Sequence, residues 1–165
     1  MLIRRETPQD HPTVAKIHES AFEGQVERDL VTALRASNAW LPPLSLVAER
    51  DNQVVGHVVC TRAHVGETPA LGLGPLGVTP AAQKSGVGTA LMHAVLAAAD
   101  ALNEPVVVLL GHTDYYPRFG FHPATSFGIT PPVPEWGAHF QARPLSTYDK
   151  TIQGPFAYAE PFNAL

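Results

Sequence analysis

The sequence predicts an α/β fold in a single domain, and three observations carry that prediction. Strand-like and helix-like segments interleave along the whole chain. The clearest helix, Ser85 to Leu102, leads into Val106–Leu110, five consecutive valine or leucine residues typical of a strand buried on both faces. The 165 residues suit one compact unit, and no linker or internal repeat divides them.

Leu2–Arg5 reads as a short strand stopped by Thr7-Pro8. Pro8 to Phe22 places Val14, Ile17 and Ala21 at helical spacing, and after Gly24 a second helix carries Val26, Leu30, Val31 and Leu34. Leu44–Glu49 and Val54–Cys60, separated by the polar turn Arg50-Asp51-Asn52-Gln53, read as a hairpin whose second strand can run on to Val65. The segment Leu71 to Val78 is apolar but holds Gly72, Gly74, Pro75 and Gly77, which predicts a strand with a deliberate irregularity. On the long helix, Val87, Leu91, Val95, Ala98 and Leu102 line one face. A short helix over Tyr115–Phe119 ends at Gly120. Half of the sixteen prolines follow, from Pro117 onward, so short strands near Phe121 and Phe140–Arg143 joined by irregular loops are expected there.

Composition narrows the function classes. An apolar fraction of 45% with 16% charged residues describes a globular chain. The net charge of −4 argues against nucleic-acid binding through a general positive field. The first residues lack the apolar stretch of a signal peptide, and Ala90–Leu102 is too short for a bilayer, which needs about 20 residues. A cytoplasmic protein without membrane attachment is expected. The lone Cys60, in an apolar β run, excludes an internal disulfide and reads as an inert buried thiol. The eight histidines form no helical i, i+4 pair, so no catalytic metal is expected.

The chemistry concentrates between Leu76 and Met92. An irregular strand feeds a short loop, and Gly86 and Gly88 open a strong helix. The first N–H groups of a helix lack internal partners and carry partial positive charge. Glycine costs up to about 1 kcal/mol inside a helix, so two in one turn ask for a reason. Close approach of a phosphate or pyrophosphate to the backbone supplies one. The plainer reading is that Ser85 caps the helix and the glycines allow tight packing. No Walker or three-glycine dinucleotide motif is present.

A second constellation follows Val106–Leu110, namely Gly111-His112-Thr113-Asp114-Tyr115-Tyr116-Pro117-Arg118-Phe119-Gly120-Phe121. Together with Leu76-Gly77-Val78 and Gln83-x-x-Gly86-x-Gly88, it resembles the GNAT acetyltransferase superfamily, and its Tyr-Tyr-x-Arg-Phe-Gly-Phe form is similar to one bacterial subgroup. The resemblance implies a central, mostly antiparallel mixed sheet of about six to seven strands, with strands 4 and 5 splayed and helices flanking. It implies one GNAT-like domain over residues 1–165, with an acetyl-CoA-binding segment at about 71–121 and C-terminal strands and loops over 122–165. The implied reaction is direct transfer of an acetyl group from acetyl-CoA to a small-molecule or protein amine. Backbone groups of Gln83, Lys84, Ser85, Gly86, Val87, Gly88 and Thr89 would hold the pyrophosphate. Leu76, Gly77 and Val78 would offer backbone groups to the acetyl carbonyl and the pantetheine arm. Tyr116 matches the family's general-acid tyrosine. Its neighbour Tyr115 reads as an ordinary half-buried aromatic.

The base for the attacking amine is less marked. Glu27, on the second helix beside the family's acceptor region, could act through water, and a solvated helix carboxylate fits the residue equally well. His57 and His64 could also serve, although a strand histidine is more often simply packed. His112 stands where many family members carry asparagine, and Arg118 is either a solvated charge or a phosphate partner. Phe156, Tyr158 and Phe162 pack either on the domain, as a monomer, or on a second subunit, as a homodimer. The rival reading is a non-catalytic acyl-CoA-binding sensor or interaction module on the same fold.

Overall fold

A computed structural model describes all residues, 1–165. Seven strands of four or more residues form the frame: β1 (Leu2–Arg5), β2 (Ser45–Arg50), β3 (Gln53–Val65), β4 (Thr68–Val78), β5 (Val106–Leu110), β8 (Phe140–Pro144) and β9 (Gly154–Ala157). Two strands of two residues, β6 (His122–Pro123) and β7 (Ile129–Thr130), exceed the six or seven expected. Pro123 within β6 and Pro131 directly after β7 keep these two short. The sheet order is β1-β2-β3-β4-β5-β8-β6, while β9 pairs with the far end of β3 and with β7. Neighbours are antiparallel except β4–β5 and β7–β9.

Helices α1 (His11–Phe22), α2 (Val26–Arg35) and α3 (Val87–Ala101) flank the sheet. On α1, Val14, Ile17 and His18 are buried rather than Ala21, and on α2 Leu30, Val31 and Leu34 are buried while Val26 stays exposed. The main core fills the space between α3 and the sheet, with Leu91, Met92 and Val95 against Val58, Cys60, Leu71 and Val107. Gly56 makes that approach possible, since a Cβ there would lie 2.9 Å from both Leu91 and Val87 side chains. The aromatic tail folds back on the domain: Phe156 is buried, Tyr158 meets it at 4.7 Å, and Phe162 stacks on Tyr158 at 4.4 Å.

The irregularity expected in β4 is a bulge at Gly74-Pro75. Leu73 pairs with Cys60 and Leu76 with Val58, so two residues of β4 face the single Val59 of β3. Gly77 belongs to the regular ladder opposite His57.

Candidate active site

Strands β4 and β5 share a ladder only at Leu71–Val107 and Gly72–Val108, then part. The expected splay is therefore present, beginning just before the bulge. Tyr158 closes its narrow end, its ring so close to Gly72 that a Cβ there would stand 2.9 Å away.

The open end leads into a groove of about 550 Å³. Ala21 and Phe22 of α1 form one wall and Leu76 and Val78 of β4 form the floor. Gln83, Lys84, Gly86, Gly88 and Thr89 make the far end, with Tyr115 and Arg118 opposite. The turn before α3 is shaped by two left-handed residues, Lys84 at φ 59° and Gly86 at φ 92°. None of the backbone N–H groups of Lys84, Ser85, Gly86, Val87, Gly88 and Thr89 finds an acceptor in the chain. Six successive free donors at a helix start, flanked by Lys84 and Arg118, make an anion cradle. Arg50 braces it from β2, donating from Nη1 to the Ser85 hydroxyl at 2.9 Å. The Ser85 hydroxyl in turn donates to the Ala82 carbonyl, so it does not cap α3.

The residues expected at the site divide by what they face. Leu76, Val78, Gln83, Lys84, Gly86, Gly88 and Thr89 line the groove. Gln83 also donates to the Val78 carbonyl at 3.0 Å, tying the loop to the strand. Val87 points into the core, and Gly77 is turned toward α1. Glu27 lies in the first turn of α2, half-buried, outside the groove lining. His57 is wholly buried, and His64 is exposed in another cleft, beside Arg62, Tyr158 and Glu160.

The two tyrosines take different places. Tyr115 stands over the helix start, its hydroxyl 3.2 Å from where a Gly88 Cβ would be. It is half-buried against the core, as expected, and it also lines the groove. Arg118 lies 4.7 Å above its ring and donates to its carbonyl at 2.9 Å, which settles that guanidinium on the groove wall. Tyr116 packs behind, against Gly111 at the end of β5 and edge-on to Tyr115 at 4.9 Å. Burial, with a smaller contribution from Tyr115, pushes the Tyr116 hydroxyl up to about 12. Gln141, a buried residue that sequence patterns did not mark, fixes this corner by donating to the Gly111 carbonyl at 3.1 Å. Only its place on a strand facing the β5 terminus gives it meaning, so no local signal could have found it. Cys60 is buried, and burial raises its thiol far above its ordinary range.

The model of the acetyltransferase (GNAT) domain matches residues 2–124. The chain belongs to the GNAT acetyltransferase family. Three relatives of this GNAT chain extend the comparison through its C-terminal part. The uncharacterized N-acetyltransferase YjhQ of Escherichia coli is 34% identical over 160 residues, spanning 92% of this chain and 88% of its own. The GNAT N-acetyltransferase YhbS from Escherichia coli, solved in complex with CoA, superposes with a TM-score of 0.90 at 31% identity, covering 98% of this chain and 91% of that one. A GNAT acetyltransferase from Brucella melitensis, solved with acetyl-CoA, gives a TM-score of 0.80 at 36% identity, over 98% and 97% of the two chains. Acetyltransferases of this family act on small-molecule or protein amines. No helix of this GNAT chain is long and apolar enough to cross a membrane.

Proposed function

We propose that the chain transfers an acetyl group from acetyl-CoA directly to an amine, with the donor held along β4 and across the start of α3. The row of six unpartnered N–H groups from Lys84 to Thr89 carries this reading, because a diphosphate supplies the acceptors those donors lack. The complexes of YhbS with CoA and of the Brucella enzyme with acetyl-CoA support the same choice of donor.

Under this reading each part of the groove has a task. Lys84 and Arg118 add charge to the cradle, and Leu76 and Val78 give the pantetheine arm an apolar floor. Backbone N–H groups of β4 beside the bulge would stabilise the oxyanion formed when the amine attacks the thioester. Tyr116 would protonate the departing thiolate, since a hydroxyl at about 12 holds its proton at neutral pH. The acceptor is a small-molecule or protein amine, and the setting is cytoplasmic.

The test pairs calorimetry with detection of free CoA thiol across a panel of primary amines. Wild type should bind acetyl-CoA and release CoA with at least one amine. Gly86→Glu, which puts a carboxylate in the cradle, should weaken acetyl-CoA binding by an order of magnitude or more. Unchanged affinity in that variant would remove the diphosphate site. Binding without release across the panel would favour a sensor.

A further inference from the structure

A buried polar chain runs from behind the groove floor, at Gly77, to the partly exposed ring of His11. His18 Nε2 lies 2.8 Å from His57 Nδ1, and His57 Nε2 lies 2.9 Å from the Ser45 hydroxyl. That hydroxyl contacts the carboxylate of Glu6. Arg35 of α2 pairs with Glu6 at 2.9 Å, and His11 at the start of α1 reaches it at 3.2 Å with a partly exposed ring. His18, His57 and Ser45 are all fully buried.

The carboxylate fixes the direction of every proton in this chain. An ionised Glu6 only accepts, so Ser45 must donate its single proton to it. The Ser45 oxygen can then only accept, which places a hydrogen on His57 Nε2. In a neutral ring His57 Nδ1 is therefore an acceptor, and His18 Nε2 donates to it. What remains is a lone pair on His18 Nδ1, and that atom is buried without a partner. It faces Gly77, between the two β4 residues that floor the groove, at 2.6 Å from where a Cβ would be. Phe22 stacks over the ring at 6.0 Å and forms part of the groove wall.

We propose that His18 Nδ1 accepts the proton of the attacking amine, and that His57, Ser45 and Glu6 relay a proton to the surface beside His11. This rests on the acetyltransferase reading. As the N–H bond of the amine adduct breaks, its electron pair stays on nitrogen as the amide lone pair, and Nδ1–H forms on His18. The Nε2 proton of His18 passes to His57 Nδ1, the Nε2 proton of His57 to Ser45, and the Ser45 proton to Glu6. Glu6 then hands it to His11 Nε2, 3.2 Å away, whose partly exposed ring releases it to water. The C–S bond breaks with its pair going to sulfur, which takes its proton from Tyr116. Burial, with the His57 ring and the Arg35 charge beside it and only Glu6 opposing, makes a lasting charge on His18 unfavourable. The relay meets that condition, because each buried ring ends the step neutral and the proton passes beyond Glu6 to the partly exposed ring of His11.

The test starts with imidazole nitrogen shifts in the labelled protein, which should show His18 and His57 both carrying hydrogen on Nε2. With an amine that wild type accepts, His18→Gln should lower kcat about 100-fold and Ser45→Ala about 10-fold. Acetyl-CoA affinity should stay within twofold of wild type in both. The proton inventory of kcat in mixed light and heavy water should curve in wild type and become linear in Ser45→Ala, a change that a packing role would not produce. A hydrogen on His18 Nδ1, or wild-type kcat in Ser45→Ala, overturns the relay even if His18→Gln does not fold. A wild type that binds acetyl-CoA yet acetylates nothing in the panel overturns the acetyltransferase reading, and the relay falls with it.

Discussion

Gly77 and His18 share one space: a Cβ on Gly77 would stand 2.6 Å from Nδ1 and 3.0 Å from Cε1 of the His18 ring. The ring lies fully buried on the sheet where Gly77 of β4 pairs with His57 of β3, and Ile17 also packs against the Gly77 position. Gly77→Ala should therefore behave as an overpacked core variant, losing about 1–3 kcal/mol. In a thermal melt that is a fall of roughly 2–10 °C. Because the displaced ring is the inner end of the polar chain, turnover should fall further than the loss of folded protein explains. An unshifted melting temperature would mean that the ring sits elsewhere.

The two glycines at the start of α3 should respond in opposite ways to alanine. Gly86 is left-handed at φ 92° with nothing within 4 Å of its Cβ position, so the cost there is purely conformational. An L-residue in that region loses about 1–2 kcal/mol, and Gly86→Ala should melt lower. Gly88 lies inside α3 without a left-handed φ, so alanine gains up to about 1 kcal/mol of helix propensity. That Cβ would press the Tyr115 hydroxyl at 3.2 Å, so Gly88→Ala should weaken acetyl-CoA binding without lowering stability. Melting curves and calorimetry on the two variants separate these outcomes.

Much of this was legible because it is local. The period of α3, the polar turn before β3 and the run Val106–Leu110 each announce an element within a few residues. Gly86 and Gly88 mark the cradle for the same reason. The position of the β4 bulge was less legible, since Gly74-Pro75 and Gly77 are equally irregular in sequence and only the pairing with β3 distinguishes them. The chain from His18 to Glu6 was invisible. It joins α1, β3, β2 and the segment after β1, and each member alone reads as an ordinary packed or solvated residue.

Tyr115 and Tyr116 should separate binding from chemistry. Tyr116 sits at the end of β5 with its hydroxyl pushed up to about 12, whereas Tyr115 overhangs the cradle. Tyr116→Phe should lower kcat by about 100-fold at unchanged acetyl-CoA affinity, the usual scale for a lost general acid. Tyr115→Phe should raise the dissociation constant a few-fold and spare kcat. Steady-state kinetics with calorimetry checks both, and a reversed pattern would exchange the two roles.

Acid should unfold this protein earlier than carboxylates alone predict. His18 is held neutral chiefly by burial, with the His57 ring and the Arg35 charge beside it acting the same way, its value falling from 6.5 to about 3, and burial lowers His57 as well. A histidine whose folded value is depressed contributes stability that is complete above its unfolded value. That stability is lost as pH falls toward the folded value, so the decline begins near pH 6.5. Each such group contributes about 1.4 kcal/mol per pH unit across that window. Glu6 enters lower. Burial would raise it, but the nearby His57 ring, the hydrogen bond from Ser45 and the charge of Arg35 hold it at about 2, so its contribution is lost between 4.5 and 2. Urea titrations should therefore show stability falling from pH 6.5 to 4.5 by about 1.4 kcal/mol per unit from His18, with His57 adding to the fall in the same direction. His18→Gln, with one titrating ring removed, should show a shallower slope. A stability that stays flat down to pH 4.5 would mean that the two rings are not buried as neutral partners.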